Sequence, residues 1–297
     1  MTTHLFATLL TARAVAANNR AENDGNATTL QKVIRGGRIH STVSSEAIRY
    51  ALREVWHAED AESVNRRPAG AGFEFADKEF KKPGEFIDTD VLGFMHAKKE
   101  TLNRRAPLEV CRAVSLAPWP GTISHNFASP GSNPAVKAKD PIPYAAEVHD
   151  TRYQYSVALT PGSLLKDAAG RTERTLRGLQ NLRRVAGNHA RYLYDFSPEA
   201  VVLRVTPDPA PRMLLCFEED EHGHLSLAPL LARTAGEEPD VEPGELIVGT
   251  ALPVARLEDL EAAGASVHSG VKAAFSEAIR RAAEGLEADA TATKGAK

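Results

Sequence analysis

The sequence predicts an α+β fold built on a βαββαβ sheet of the ferredoxin-like, RRM-like kind. Three observations predict it. The first segment, "THLFATLL", is apolar on both alternating faces, two amphipathic helical patterns each stand between strand patterns, and long Gly- and Pro-rich stretches fall outside this order as insertions. No internal repeat breaks the order.

Thr3 to Ala16 reads as one central buried strand whose end opens to solvent at Arg13. The turn formers "NNRAENDGN" stop it. From Asn18 to His40 the chain reads as a long loop carrying Arg20, Lys32, Arg35 and Arg38, and loops of that length tend to carry function or disorder. Ser44 or Ser45 then caps a helix, with Glu46 in its first turn and Ala47, Ile48, Ala51, Leu52, Val55 and Trp56 on one apolar face. Residues 58–104 lose this clarity and read as an insertion outside the main core.

Strand alternation returns in "APLEVCRAVSLAP", Ala106 to Pro118. The turn-dense run from Trp119 to Tyr144 reads as a protruding loop or hairpin. Ala145 to Pro161 is strand-like in its second half, with Tyr153, Tyr155, Val157 and Leu159 on one face. A second helical segment, Arg171 to Tyr194, places Leu176, Leu179, Leu182 and Val185 among arginines and is interrupted near "AGNHARYLYDFSP". "AVVLRVT", "RMLLCFEED", "LSLAPLL" and "GELIVGTAL" read as strands, a helix is expected from about Ser266 to Leu286, and "EADATATKGAK" as a disordered tail.

Charge and composition narrow the function. The net charge of −3 conceals an asymmetry, with 13 basic against 6 acidic residues in 101–193 and 9 against 19 in 194–297. Such a split suits one face that meets phosphate and another that stays solvated or meets a basic partner. No apolar run approaches the roughly 18 residues of a transmembrane helix, and the N-terminus lacks a signal-peptide pattern. A cytoplasmic protein without membrane contact is expected. Cys111 and Cys216 stand far apart without a Cys/His cluster and read as buried thiols.

Two stretches have phosphate-binding chemistry. "VIRGGRIHSTVSSEAIR" sets Arg35, Arg38, His40, Ser41, Ser44 and Arg49 around a Gly-Gly pair and a helix N-terminus, where backbone N–H groups and the helix dipole favour anions. It is equally readable as a capped helix behind a solvated loop. "RRVAGNHAR" repeats the chemistry with Asn188, His189 and Arg191, the alternative being a helix kink with exposed arginines. "TISHNFAS" places His125, Asn126 and Phe127 on the protrusion, where a ring stacks on an unpaired base or packs on its own hairpin.

Catalytic signals are thin. There is no G-x-S-x-G, H-E-x-x-H or Walker loop, and "GAGF" lacks a dinucleotide-site context. Glu22 and Asp24 in "ENDGN" and His222 and His224 in "EEDEHGHL" are read as turns rather than metal sites. No catalytic residue, metal ligand or cofactor is assigned.

The order and spacing of "ARAVAANNRAENDGN", "HSTVSSEAIRYALR", "RRAPLEVCRAVSLAP" followed by "SHNFAS", "YAAEVHDTRYQYSVAL" and "VAGNHARYLYDFSPEAVVLRVT" resemble the CRISPR-associated Cas-seven superfamily, and specifically its DevR branch of type I-B systems. The resemblance spans about Leu5 to Thr206; the acidic C-terminal third is less well covered. It implies an RRM-like palm with a helical fingers insertion and a thumb β-hairpin. Residues 1–57 would begin the palm, 58–104 form the fingers, 105–118 add a palm strand, 119–145 form the thumb, 146–217 complete the palm, and 218–297 form an acidic C-terminal segment. It implies a non-catalytic backbone subunit of a Cascade complex, whose partners are guide CRISPR RNA, target DNA through the guide, further copies of itself and other Cascade subunits. Arg20, Lys32, Arg35, Arg38, His40, Ser44, Arg49, His125, Asn126, Phe127, Asn188, His189 and Arg191 would hold the RNA. Type III relatives cut RNA through an aspartate in the loop after the first strand, which makes Asp24 the position of the alternative, a metal-dependent RNA endonuclease. A stand-alone, sequence-selective RRM-like regulator is a third reading.

Overall fold

The computed structural model describes residues 2–17, 23–70, 72–97, 102–129, 141–186 and 193–295. The first strand, His4–Thr11, is buried at every position after the first, as befits a strand covered on both faces. It runs antiparallel to Tyr153–Leu159 on one side, with Leu9 opposite Tyr155, and to Pro198–Thr206 on the other, with Leu9 opposite Val201. Leu108–Val110 and Ala113–Ser115 pair antiparallel with the far side of Tyr153–Leu159. Val110 lies opposite Val157 and Val114 opposite Gln154, so this strand carries an extra residue, a bulge at Cys111 whose thiol accepts from Ser156 N at 3.0 Å.

Arg38–Val43 and then Lys32–Arg35 extend the sheet beyond Ala113–Ser115. At the other edge Leu246–Thr250 pairs with Pro198–Thr206, and Ser266–His268 lies parallel outside it, giving nine strands in all among the described residues. A helix joins the first strand to Leu108–Ser115 and another joins Tyr153–Leu159 to Pro198–Thr206, so the mixed α+β order expected from the sequence is present.

Alternation sorts the first strand's side chains into two cores. Leu5, Ala7 and Leu9 face helices α1 (Ser45–Glu59), α3 (Ala168–Gln180) and α6 (Val271–Gly295), packing with Trp56, Leu176, Leu179, Phe275 and Ala278. Phe6 and Leu10 face a covering layer, packing with Met213, Phe217, Leu230, Val241 and Leu260. Helix α1 starts where the sequence places it: Ser44 Oγ accepts from Ala47 N at 3.2 Å. Gly178 of α3 lets the two helices close up, since a Cβ there would lie 2.5 Å from Leu52 Cδ1.

Several expectations are corrected. The first strand ends at Thr11; Ala14–Ala17 leaves the sheet and pairs with Ile142–Thr151. The loop expected over 18–40 contains a β-hairpin, Lys32–Arg35 with Arg38–Val43, turned by Gly36 and Gly37 at φ +55 and +75. Two consecutive positive-φ residues are what a two-residue type I′ turn requires. Residues 58–104 are not mainly helical: they hold the hairpins Arg66–Ala69/Gly72–Phe75 and Phe94–His96/Leu102–Arg104 and the single turn and a half of α2 (Ile87–Leu92). Buried carboxylates fasten this insertion, Asp88 to Arg53 and to the backbone N–H groups of Asn65 and Arg66, and Asp90 to Arg104, Arg171 and Leu165 N.

Helix α3 stops at Gln180 rather than reaching Tyr194. "RMLLCFEED" is strand only at Glu218–Glu219, because Arg212 and Leu215 take positive φ and break extension. "LSLAPLL" keeps two strand residues and then becomes α4 (Ala228–Thr234), started by Pro229 in its first turn. After α5 (Leu257–Ala262) the last helix begins at Val271, and it runs through the expected tail to Gly295, where alanines and glutamates favour it. Cys216 is buried, which pushes its thiol up to about 12, while Cys111 is half-buried.

Candidate nucleic-acid interface

The Gly36–Gly37 turn projects past the end of the sheet. Arg38 lies three residues beyond Ser41, which is level with Ser115 and Tyr153, so the tip reaches about 10 Å further at ~3.3 Å per residue. At the same end the chain forms a second hairpin, Ile123–Ala128 against Ile142–Thr151, where the sequence predicts a protrusion.

The register shows which faces meet. Lys32, Ile34, Ile39 and Ser41 share one face of the first hairpin. Ile123 lies opposite Glu147, so Ile123, His125 and Phe127 share a face of the second hairpin with Glu147 and His149. The two faces are joined at their bases. Ser41 Oγ lies 2.7 Å from His149 Nδ1 and 2.7 Å from Tyr153 Oη, and Lys32 Nζ donates to Glu147 Oε2 at 2.6 Å. Trp119 bridges them: its N donates to Ile39 O at 2.7 Å, its Nε1 to Val148 O at 3.0 Å, and Lys32 Nζ sits 4.2 Å over its ring.

Toward the tips the faces are uncovered, with Ile34 79 % and Phe127 72 % exposed. Beyond the polar pairs at the base, each hairpin thus carries exposed apolar side chains on the face that makes those contacts, Ile34 and Ile39 on the first and Ile123 and Phe127 on the second. Arg35 and Arg38 flank the turn, exposed, on the opposite face of the first hairpin. Exposed apolar and aromatic side chains, with two exposed guanidinium groups at the neighbouring turn that pair with no described carboxylate, suit an unpaired base and a phosphate of the same strand.

Burial sets the electrostatics at the base. His149 is held down to about 4, chiefly because burial penalises its charged form, with His40 adding repulsion against a hydrogen bond to the Pro118 backbone. It is therefore a neutral ring at ordinary pH. Tyr194 closes the next layer, its hydroxyl 2.6 Å from Thr11 Oγ1 and donating within 3.1 Å of Ala12 O and Thr151 O.

Only part of the sequence-derived residue set gathers here. Arg35, Arg38, His125 and Phe127 are exposed at the tips. Lys32 is committed to Glu147. Asn126 points to the other face, where its Nδ2 donates to Ser124 Oγ at 3.1 Å. His40 is a correction: it is buried and its Nδ1 donates to Ser115 O at 2.8 Å, so it props the hairpin instead of facing solvent. Ser44 and Arg49 are corrections too. Strand Arg38–Val43 carries Ser44 to the opposite end of the sheet, about 20 Å from Arg38, where its hydroxyl caps α1 and Arg49 Nη2 donates to Leu92 O. Arg20, Asn188, His189 and Arg191 lie outside the described residues.

Asp24 is exposed in the two-residue strand Asn23–Asp24, and among the described residues no group of three His, Cys, Asp or Glu side chains could hold a metal ion. Asp220 accepts from His222 N and His224 N and pairs with His224 Nδ1 at 2.9 Å. That geometry makes "EEDEHGH" the hairpin turn expected of it. The junction of the two hairpins escapes sequence reasoning: Ile34, Ile39, Trp119 and Glu147 carry no signal of their own, although "KVIRGGRIHS" has the Gly-Gly hairpin pattern between alternating residues.

Comparison with known proteins gives a consistent result. Residues 10–186 match the family model described as CRISPR-associated negative auto-regulator DevR/Csa2. A curated relative from Myxococcus xanthus (strain DK1622), CRISPR-associated protein Cas7/Cst2/DevR, is 42% identical over 300 residues, covering 95% of this chain and 98% of that protein. Among solved structures, a chain of a CRISPR RNA-guided surveillance complex is similar with a TM-score of 0.59 at 15% identity, covering 93% of this chain and 99% of that one. A chain of a CRISPR RNA-guided surveillance complex in a pre-nicking state has a TM-score of 0.61 at 12% identity, covering 94% and 100%.

Proposed function

The chain belongs to the CRISPR-associated DevR/Csa2 family, and from that premise we propose that it is a non-catalytic RNA-binding backbone subunit of a type I Cascade complex. In this reading several copies assemble along a guide CRISPR RNA in the cytoplasm and present it for pairing with target DNA, beside other Cascade subunits. The observation that carries it is the pair of hairpins at one end of the sheet, joined at their bases by Lys32–Glu147 and Ser41–His149, with exposed Arg35 and Arg38 at the tip of one and exposed His125 and Phe127 on the other. Base pairing would supply specificity while the protein reads shape and charge.

The sheet is the RRM-like palm in this proposal. The strand order Pro198–Thr206, His4–Thr11, Tyr153–Leu159, Leu108–Ser115, all antiparallel, supports that assignment. Residues 58–104 are the fingers and 119–145 the thumb, while 218–297 add the acidic C-terminal segment. Arg20, Asn188, His189 and Arg191 belong to the proposed RNA-binding set by resemblance, and Lys32 supports it from below.

The absence of a helix long and apolar enough to cross a membrane among the described residues is compatible with this setting. The test is to purify the protein from its expression host without nuclease, extract the nucleic acid, and size both it and the assembly. Several protein copies on co-purified RNA support the proposal. Regularly spaced, metal-dependent cleavage of a paired RNA, abolished by Asp24→Ala, would replace it with the endonuclease reading. A monomer that binds one RNA sequence selectively would favour the regulator that the family description names.

A further inference from the structure

The chain passes from the main sheet to the second hairpin through "LAPWPG", where Pro118 and Pro120 stiffen the backbone on either side of Trp119. One residue of this passage holds both hairpins. The backbone N–H of Trp119 donates to Ile39 O of the Gly-Gly hairpin at 2.7 Å, and its indole Nε1–H donates to Val148 O of the second hairpin at 3.0 Å. Lys32 Nζ, 4.2 Å from the ring centroid, covers the indole and is itself held by Glu147 of the second hairpin.

Its position along the hairpin gives Trp119 leverage. The ties Ser41–His149 and Lys32–Glu147 lie at one level, since Lys32 is paired with Ser41. Ile39 stands two residues further out, beside Arg38, and so about 7 Å nearer the tip. A tie at that point resists a bending of the hairpin that ties at the base alone would permit.

We propose that Trp119 is a positioning residue of the RNA-binding surface: it fixes the angle between the two hairpins, so that a strand meets Arg35 and Arg38 on one and Phe127 on the other at a preset span. Contacts on one rigid frame bind as a unit, because engaging the first holds the second at a high local concentration. A frame fixed beforehand also loses little freedom on binding. The inference rests on the RNA-binding role proposed for the two hairpins. Trp119 acts through them and touches no strand itself.

The test is the affinity of the full chain for a labelled single-stranded RNA of arbitrary sequence, by fluorescence anisotropy at one salt concentration and at a temperature where circular dichroism shows each variant folded. Trp119→Phe keeps an aromatic ring under Lys32 and removes the bond to Val148 O. It is expected to weaken binding about 2- to 10-fold, the range that one hydrogen bond contributes. In a Phe127→Ala background the same change is expected to have no effect, because a strand held by the arginine hairpin alone has no span to match. Trp56→Phe is the control for stability. Trp56 is the other of the two tryptophans, is buried in helix α1, and donates from Nε1 to Arg174 O at 3.2 Å. Its replacement loses the same kind of bond without loosening either hairpin, and is expected to leave RNA affinity unchanged. Equal weakening from Trp56→Phe, weakening that survives Phe127→Ala, or unchanged affinity of Trp119→Phe overturns the positioning role while leaving RNA binding intact. If the wild type binds no RNA, the positioning role and the RNA-binding reading fall together.

Discussion

Lys32 Nζ lies 2.7 Å from Glu147 Oε1 and 2.6 Å from Oε2, tying the Gly-Gly hairpin to the base of the second hairpin. Glu147 also accepts from Leu30 N at 2.7 Å, and its side chain is mostly buried. A cation that the sequence places among the candidate RNA contacts is thus part of the frame. Lys32→Met should leave a buried carboxylate under-partnered and destabilise the fold by about 1–3 kcal/mol. Because Lys32 carries no phosphate in this account, the salt dependence of RNA binding should keep its slope, which a titration at several salt concentrations checks.

Arg35 and Arg38 should behave in the opposite way. Both are exposed beside the turn, so Arg35→Ala and Arg38→Ala should leave the melting temperature within about 1 °C, as surface changes do. Each cation withdrawn from a phosphate of single-stranded RNA should flatten the plot of log K against log salt by about 0.7. Anisotropy titrations of the two variants read this directly.

Phe127→Ala removes a largely exposed ring, so stability should be unaffected. RNA affinity should fall by about 1–3 kcal/mol if a base stacks there, with no change in salt slope. Affinity at one salt concentration separates Phe127 from Ile34→Ala, for which a smaller effect is expected because an aliphatic wall offers no π-face.

His149 should make the fold acid-sensitive. Its folded value is about 4, below the ~6.5 of an unfolded histidine, so between those values the unfolded chain binds the extra proton. Stability is therefore full above about pH 6.5 and is lost as pH falls toward 4, by up to about 3 kcal/mol. Urea melts of wild type and His149→Gln at pH 7.5 and 4.5 should show the variant losing less on acidification.

Asp24→Ala should leave RNA affinity unchanged, and the wild-type protein should not cleave a paired RNA when magnesium or manganese is added. Gel analysis of end-labelled RNA checks both statements.

The parts of the fold with strong periodicity are legible in the sequence. Helix α1 shows a capping serine followed by six apolar positions on one face, and Tyr153, Tyr155, Val157 and Leu159 show strict alternation; both reach the core as expected. The misses have local causes. Lys32 to Val43 alternates on both sides of Gly36–Gly37, but its density of charge resembles that of a loop. "RMLLCFEED" is apolar enough for a strand, yet positive φ at Arg212 and Leu215 folds it into an irregular cover over Phe6 and Leu10.

The site is legible as chemistry but not as geometry. Phosphate-seeking arginines and a protruding aromatic are visible in the sequence. That Ser44 sits at the far end of a strand from Arg38, or that Glu147 reaches Lys32, depends on long-range pairing that residue spacing does not encode. His40 reads as an RNA contact until burial and the Ser115 carbonyl give it a structural role.

The most direct measurement is ultraviolet crosslinking of the full chain to single-stranded RNA, with crosslinked residues located by mass spectrometry. The account predicts crosslinks concentrated on Lys32–Ile39 and Ile123–Phe127, with His125 and Phe127 prominent. Crosslinks confined to the 58–104 insertion or to the acidic covering layer, with none on the two hairpins, would contradict it.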